Sequence, residues 1–204
     1  MPHTYFDTLI IGSGLAGLTL ALNLAESKKV GLITKQALLD GASGWAQGGI
    51  AAALSENDSP KSHIRDTINA GAGLCDEEIT RSVLESGPKA IQWLIEQGVP
   101  FTRDQKNNTG YHLTREGGHS TRRVIHAADT TGQAVQRTLG EEVLNHKNIS
   151  VLENHIAIDL ITSRKLGHTD TNKSCCFGAY VLDNQLGRVK TISAQNTILA
   201  AGGA

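Results

Sequence analysis

With 204 residues, 39% of them hydrophobic, the chain can bury one core, so a single domain over 1–204 with excursions is expected rather than two independent units. A formal net charge of −1 argues against nucleic acid or a membrane surface as partner, because both need a clustered positive field that the short Arg122-Arg123 pair does not supply. Three cysteines without CxxC spacing, Cys75, Cys175 and Cys176, indicate neither a disulfide framework nor a zinc site and fit a reducing cytoplasm.

The N-terminus has no basic stretch ahead of its apolar run, and no segment approaches the roughly 18 apolar residues of a membrane helix. A soluble, cytoplasmic protein is therefore expected. Leu9–Ile11 reads as a strand, Leu15, Leu18 and Leu22 recur at helical spacing, and Val30–Thr34 reads as a second strand, giving a βαβ unit. Between the first strand and the helix stands Gly12-Ser13-Gly14-Leu15-Ala16-Gly17. In that setting GxGxxG has a mechanism: Gly12 turns tightly, Gly14 lets a pyrophosphate approach the backbone, and Gly17 lets helix and strand pack closely. The anion then rests on the helix N-terminus, where unpaired N–H groups favour negative charge. The acid that often closes the second strand of such folds is missing. Thr34 is expected to meet a ribose hydroxyl instead, with Lys35 near the adenosine or a phosphate.

The stretch GASGWAQGGIAAAL, residues 41–54, has four glycines, little charge and neither strand nor helix period. A flexible loop would be more polar and would not carry Trp45, so these residues read as a second set of backbone contacts to a large planar cofactor. A helical block follows from Ser59: Ile64 and Ile68, then a helix capped by Asp76 through Ile79 and Val83, then a separate helix opened by Pro88 and closed by Gly98.

Residues 99–129 break the periodicity, with a turn expected at Asn107–Gly110. Arg115, Glu116, His119, Arg122, Arg123 and His126 concentrate around Gly117-Gly118 and read as a pocket for an anionic substrate, arginine forks matching carboxylates. His112, His119 and His126 recur every seven residues, but the intervening glycines prevent one helical face from presenting them, so no metal site is expected. A helix capped by Asp129-Thr130-Thr131 carries Val135, Leu139 and Val143. Strands are expected over 149–153, 156–162, 175–182, 188–193 and 197–201, with a polar loop at His168–Lys173. The last apolar strand runs into Gly202-Gly203 where a dinucleotide fold would continue, so a fragment is expected.

The segments GSGLAG (12–17), WAQGGIAAAL (45–54), AGAGLCD (70–76), YHLTREGGHSTRRVIHAAD (111–129) and LAAGG (199–203) together resemble the flavoprotein family of succinate dehydrogenases and fumarate reductases, in its aspartate-oxidising branch. HLTREGGHS (112–120) is the segment that separates this branch from succinate dehydrogenases. The resemblance implies an α/β, Rossmann-like FAD-binding domain with a parallel sheet and helical and β excursions, incomplete here because the family's capping and C-terminal helical domains would lie beyond Ala204. It implies oxidation of L-aspartate to iminoaspartate, the first step of quinolinate and NAD synthesis, with oxygen or fumarate as acceptor and quinolinate synthase as a partner.

Carried over by position, FAD contacts fall on Gly12, Ser13, Gly14, Ala16 and Gly17 for the diphosphate and on Thr34 and Lys35 for the adenosine half. Ser43, Gly44, Ala46, Gln47, Gly48 and Gly49 would meet the flavin half, with Ala157 and Gly202 nearby. Succinate dehydrogenases attach FAD through a histidine where Ala42 stands here, which implies non-covalent flavin. Glu116 would approach the substrate amino group, with Thr114 and His119 lining the same pocket. The family's acid/base arginine would lie beyond Ala204, so the chain alone is expected to be inactive. A succinate dehydrogenase or fumarate reductase subunit should have histidine at position 42 and lack Glu116. A nicotinamide-binding module would leave WAQGGI unexplained, and a non-catalytic interaction fragment should fold stably without cofactor.

Overall fold

The computed structural model describes residues 4–106, 108–167 and 174–203. Asn107 of the expected turn and the loop expected at 168–173 lie outside them. The chain forms two compact units, Met1–Ser43 with Leu139–Ala204, and Gly44–Thr138.

The first unit is built on a six-stranded sheet in the order β6-β2-β1-β9-β8-β7. Its strands are β1 (Thr4–Ile11), β2 (Val30–Ile33), β6 (Ile149–Leu152), β7 (His155–Thr162), β8 (Cys176–Asp183) and β9 (Arg188–Leu199). The half formed by β6, β2, β1 and β9 is parallel, while β7, β8 and β9 form an antiparallel meander. Parallel strands are buried on both faces and so read as continuous apolar runs, which is why all four residues of β2 are buried. Helix α1 (Leu15–Ala25) turns Leu18 and Ala21 inward, both fully buried.

The sequence predicts two strands, 188–193 and 197–201, where β9 runs unbroken for 12 residues. The polar Gln195-Asn196 pair reads as an interruption, but the ladder to β1 carries across it, with Thr8 opposite Asn196 and Thr4 opposite Ile192. Cross-strand pairing overrides the local polarity.

In the second unit, Ser59 caps α2 (Pro60–Ala70) by accepting from Ser62 N–H at 3.1 Å, and Asp76 caps α3 (Glu77–Glu96) by accepting from Ile79 N–H at 2.9 Å. Pro88 does not begin a new helix; it sits inside the 20-residue α3. Gly87 before it relieves the clash that drives most residues preceding proline out of helical conformation. A small antiparallel sheet orders β3 (Ile50–Ala51), β5 (Val124–Ile125) and β4 (Leu113–Thr114). Along α4 (Thr131–Asn145), Val135, Leu139 and Val143 are buried, as their spacing requires. Among the described residues no helix is long and apolar enough to cross a membrane.

Candidate functional site

The glycine turn follows from steric demands that can be assigned one residue at a time. Gly12 ends β1 at φ 118°, its N–H bonded to the Ile33 carbonyl at 2.9 Å, and a Cβ there would lie 2.2 Å from the Ala200 carbonyl oxygen. A Cβ on Gly17 would lie 1.9 Å from the Gly12 oxygen, so helix and strand approach only because it is absent. Gly14 is the extended N-cap residue of α1, and a Cβ there would meet only Ser43 Oγ, at 3.3 Å. The first turn of the helix carries no acidic residue, its N-cap Gly14 offers no side chain, and Ala16 adds only an exposed methyl. A helix start with no acidic group in its first turn fits the diphosphate of a dinucleotide.

Buried Ser13 donates from Oγ to Thr34 Oγ1 at 2.9 Å, which orients the Thr34 hydroxyl at the end of β2, while Lys35 beyond it is exposed. Ser43 Oγ accepts from Leu15 N–H at 3.2 Å, bringing this residue to the same turn. Gly202, at φ 78°, lies two residues from Ala200, whose N–H bonds the Ile11 carbonyl at 2.8 Å. Ala157 lies two residues along β7 from His155, whose N–H bonds the Thr34 carbonyl at 3.0 Å.

The glycine-rich stretch begins as one 3-10 turn, Ala42–Trp45, and continues through exposed Ala46, Gln47 and Gly48. Trp45 is 83% exposed. The Ala46 carbonyl accepts from Gly132 N–H at 2.9 Å, and Gly49 lies so close to β5 that a Cβ would sit 2.3 Å from the Ile125 oxygen. Gly44, next to Ser43 in sequence, is half-buried.

The expected substrate segment is a loop between β4 and β5. Thr114 on β4 donates weakly to the Val124 carbonyl at 3.5 Å. Its neighbours Arg115 and Glu116 are exposed, and the Glu116 carbonyl accepts from His119 N–H at 3.3 Å across Gly117 and Gly118, the latter at φ 84°. His112 and His126 face each other across the two strands, Nδ1 to Nε2 at 2.8 Å, so these rings pair with one another and not with His119.

Arg123 differs from the expectation. Its fork does not await a substrate carboxylate: the side chain is fully buried, with Nε and Nη2 donating to Asp58 at 2.8 and 2.9 Å and Nη1 to Asp66 at 2.8 Å. The matching carboxylates are the chain's own, because a buried guanidinium without them would be severely unfavourable. Sequence reading missed Asp58 and Asp66, which lie 65 and 57 residues away and carry no local signal. The Ser120 hydroxyl and N–H, then Arg123, hold the Asp66 carboxyl down at about 2 against the effect of its burial. His63 is held below the ordinary histidine value, first by burial and then by the positive charge of Arg123. Its Nδ1 is buried without a partner among the described residues.

Residues 7–204 match the family model described as an FAD binding domain. The chain belongs to the FAD-binding domain family. FAD is accordingly its cofactor. The chain is 58% identical over 199 residues to L-aspartate oxidase 1 of Ralstonia nicotianae, covering 98% of this chain and 37% of that protein. It is 50% identical over 207 residues to L-aspartate oxidase of Pseudomonas aeruginosa, covering 99% and 38%. The chain thus spans less than two-fifths of the length of these relatives. Among solved structures, a variant of E. coli quinol fumarate reductase FrdA matches with TM-score 0.89 and 26% identity over 100% of this chain and 34% of that one. The Mycobacterium smegmatis Sdh1 complex matches with TM-score 0.85 and 25% identity, covering 100% and 35%.

Proposed function

We propose that the full-length protein carrying this chain oxidises L-aspartate to iminoaspartate, the first step of quinolinate and NAD synthesis in the cytoplasm, with oxygen or fumarate as electron acceptor and quinolinate synthase as the consumer of the product. The observation that carries this reading is the exposed Glu116 carboxylate on the turn at Gly117-Gly118, with His119 closing the same turn. A carboxylate there matches an ammonium group, which aspartate has and succinate lacks. The identity to L-aspartate oxidases supports the same reading.

When bound, FAD supplies the two-electron acceptor, and the chain's residues hold and orient it. Gly12, Ser13, Gly14, Ala16 and Gly17 take the diphosphate. Thr34 and Lys35 take the adenosine end, and Ala157 lies near the flavin end. Ser43, Gly44, Ala46, Gln47, Gly48, Gly49 and Gly202 take the flavin end. Ala42 has no nucleophile, so the flavin is non-covalent. Thr114, Glu116 and His119 line the substrate pocket, and the capping and helical domains come from the protein's remaining length.

Two measurements test this. Acid precipitation of the desalted full-length protein is expected to release its flavin absorbance into the supernatant, whereas flavin retained in the pellet means covalent attachment. Glu116→Gln is expected to raise KM for L-aspartate about tenfold, the worth of one charge-assisted hydrogen bond, and to leave succinate and fumarate nearly unaffected. Equal losses for all three remove the amino-group role.

A further inference from the structure

One arm of the Arg123 cluster reaches His119 of the loop between β4 and β5. Arg123 Nη1, besides bonding Asp66, lies 3.4 Å from His119 Nδ1. A guanidinium has five N–H donors and no acceptor, so a close contact with imidazole Nδ1 is favourable only when that nitrogen presents its lone pair. The proton of a neutral His119 then sits on Nε2, which has no partner among the described residues.

We propose that Arg123 is a positioning residue for substrate binding: it fixes His119 with Nδ1 as acceptor and Nε2–H as a donor available to a substrate carboxylate. The inference rests on the assignment of His119 to the substrate pocket. Arg123 suits the task because it cannot turn away. Asp58 grips Nε and Nη2 in a two-pronged pairing, Thr121 Oγ1 accepts from Nη2 at 2.9 Å, and the side chain has no exposed surface. The same cluster also holds the backbone next to His119. Asp66 Oδ2 accepts from Ser120 N–H at 2.8 Å and Ser120 Oγ at 2.6 Å, so ring and main chain are both referred to one buried ion network.

His63 completes the surroundings. Its ring centroid lies 5.5 Å from that of His119, tilted by 55°, and its Nδ1 is buried and unpaired. Buried polar atoms in a purely structural cluster are almost always satisfied, as every arm of Arg123 is.

The test uses the full-length holoprotein. In the wild type with 15N-labelled histidine, His119 Nδ1 is expected to resonate as an unprotonated ring nitrogen and Nε2 as a protonated one; a protonated Nδ1 in the neutral ring overturns the proposal without any variant. Arg123→Lys keeps the charge and loses the fork. It is expected to raise KM for L-aspartate about tenfold, with kcat within about twofold and flavin content unchanged. In a His119→Ala background the same Arg123→Lys change is expected to have no further effect on KM. A full additional tenfold loss there means that Arg123 supports only the fold, and overturns the proposal. If His119→Ala alone leaves KM for L-aspartate unchanged, the pocket assignment fails, an outcome distinct from either of the others.

Discussion

Gly12→Ala is expected to leave the full-length protein colourless after desalting and to lower its stability by about 3 kcal/mol or more. Two separate costs combine. At φ 118° an L side chain is strained by roughly 1–3 kcal/mol. The new Cβ would also stand 2.2 Å from the Ala200 oxygen and 2.6 Å from its carbonyl carbon, which are backbone atoms that cannot rotate aside. Relief requires parting β1 from the end of β9, and that movement displaces the diphosphate turn itself. Stability and flavin retention should therefore fail together, because loss of a ligand that binds only the folded state also removes its linkage stabilisation. Gly48→Ala gives the steric contrast in flavin-free protein: its new Cβ would meet no described protein atom within 4 Å, and the change should cost less than about 0.5 kcal/mol by urea unfolding. A yellow, normally stable Gly12→Ala protein would show that the turn relaxes freely and that its glycine is dispensable.

That contrast bears on what could be read from the amino-acid order. Gly12 and Gly17 lie within six residues of one another, between an apolar run and a helical period, so the tight turn and the close helix–strand approach were legible from neighbours alone. The same holds for Ser59 and Asp76, whose capping oxygens reach N–H groups three residues ahead. The helix start expected at Pro88 and the strand break expected between 193 and 197 are both overruled by tertiary context, α3 continuing past one and the β1 ladder past the other. Arg123 was visible as a charged residue in a functional segment, but its partners on either side of Ser59 were not. A salt bridge closed across about sixty residues leaves no periodicity, and in the sequence an arginine paired with such distant carboxylates looks the same as one awaiting a substrate. The contact of His155 N–H with the Thr34 carbonyl is similar: it depends on β7 meeting the end of β2, a juxtaposition no spacing encodes.

The long-range ion cluster leads to the second large effect. Arg123→Met should destabilise the protein by about 3–5 kcal/mol, because it leaves the Asp58 side chain, with no exposed surface, and the Asp66 side chain, 9% exposed, without their counter-charge. The exposed pair of Arg81 with Glu77, at 50% and 70% exposure, gives the scale for an ordinary bridge, and Arg81→Ala should cost less than about 1 kcal/mol. Adding Asp58→Asn to Arg123→Met removes one of the stranded charges and should recover part of the loss, a coupling that independent effects would not produce. The pH dependence has a definite sign. Asp66 is held at about 2 in the folded protein, below its ordinary value of 3.8, so its contribution is complete above about pH 4 and is lost as the pH falls towards 2. Without Arg123 one of the supports of the ionised carboxylate is gone, so the acid-unfolding midpoint of Arg123→Met should move upward from that of the wild type. Urea midpoints at pH 7 and acid titrations followed by circular dichroism measure both effects. A cost below about 1 kcal/mol, with an unmoved acid midpoint, would mean that water reaches these carboxylates and that the cluster does not hold the loop carrying His119.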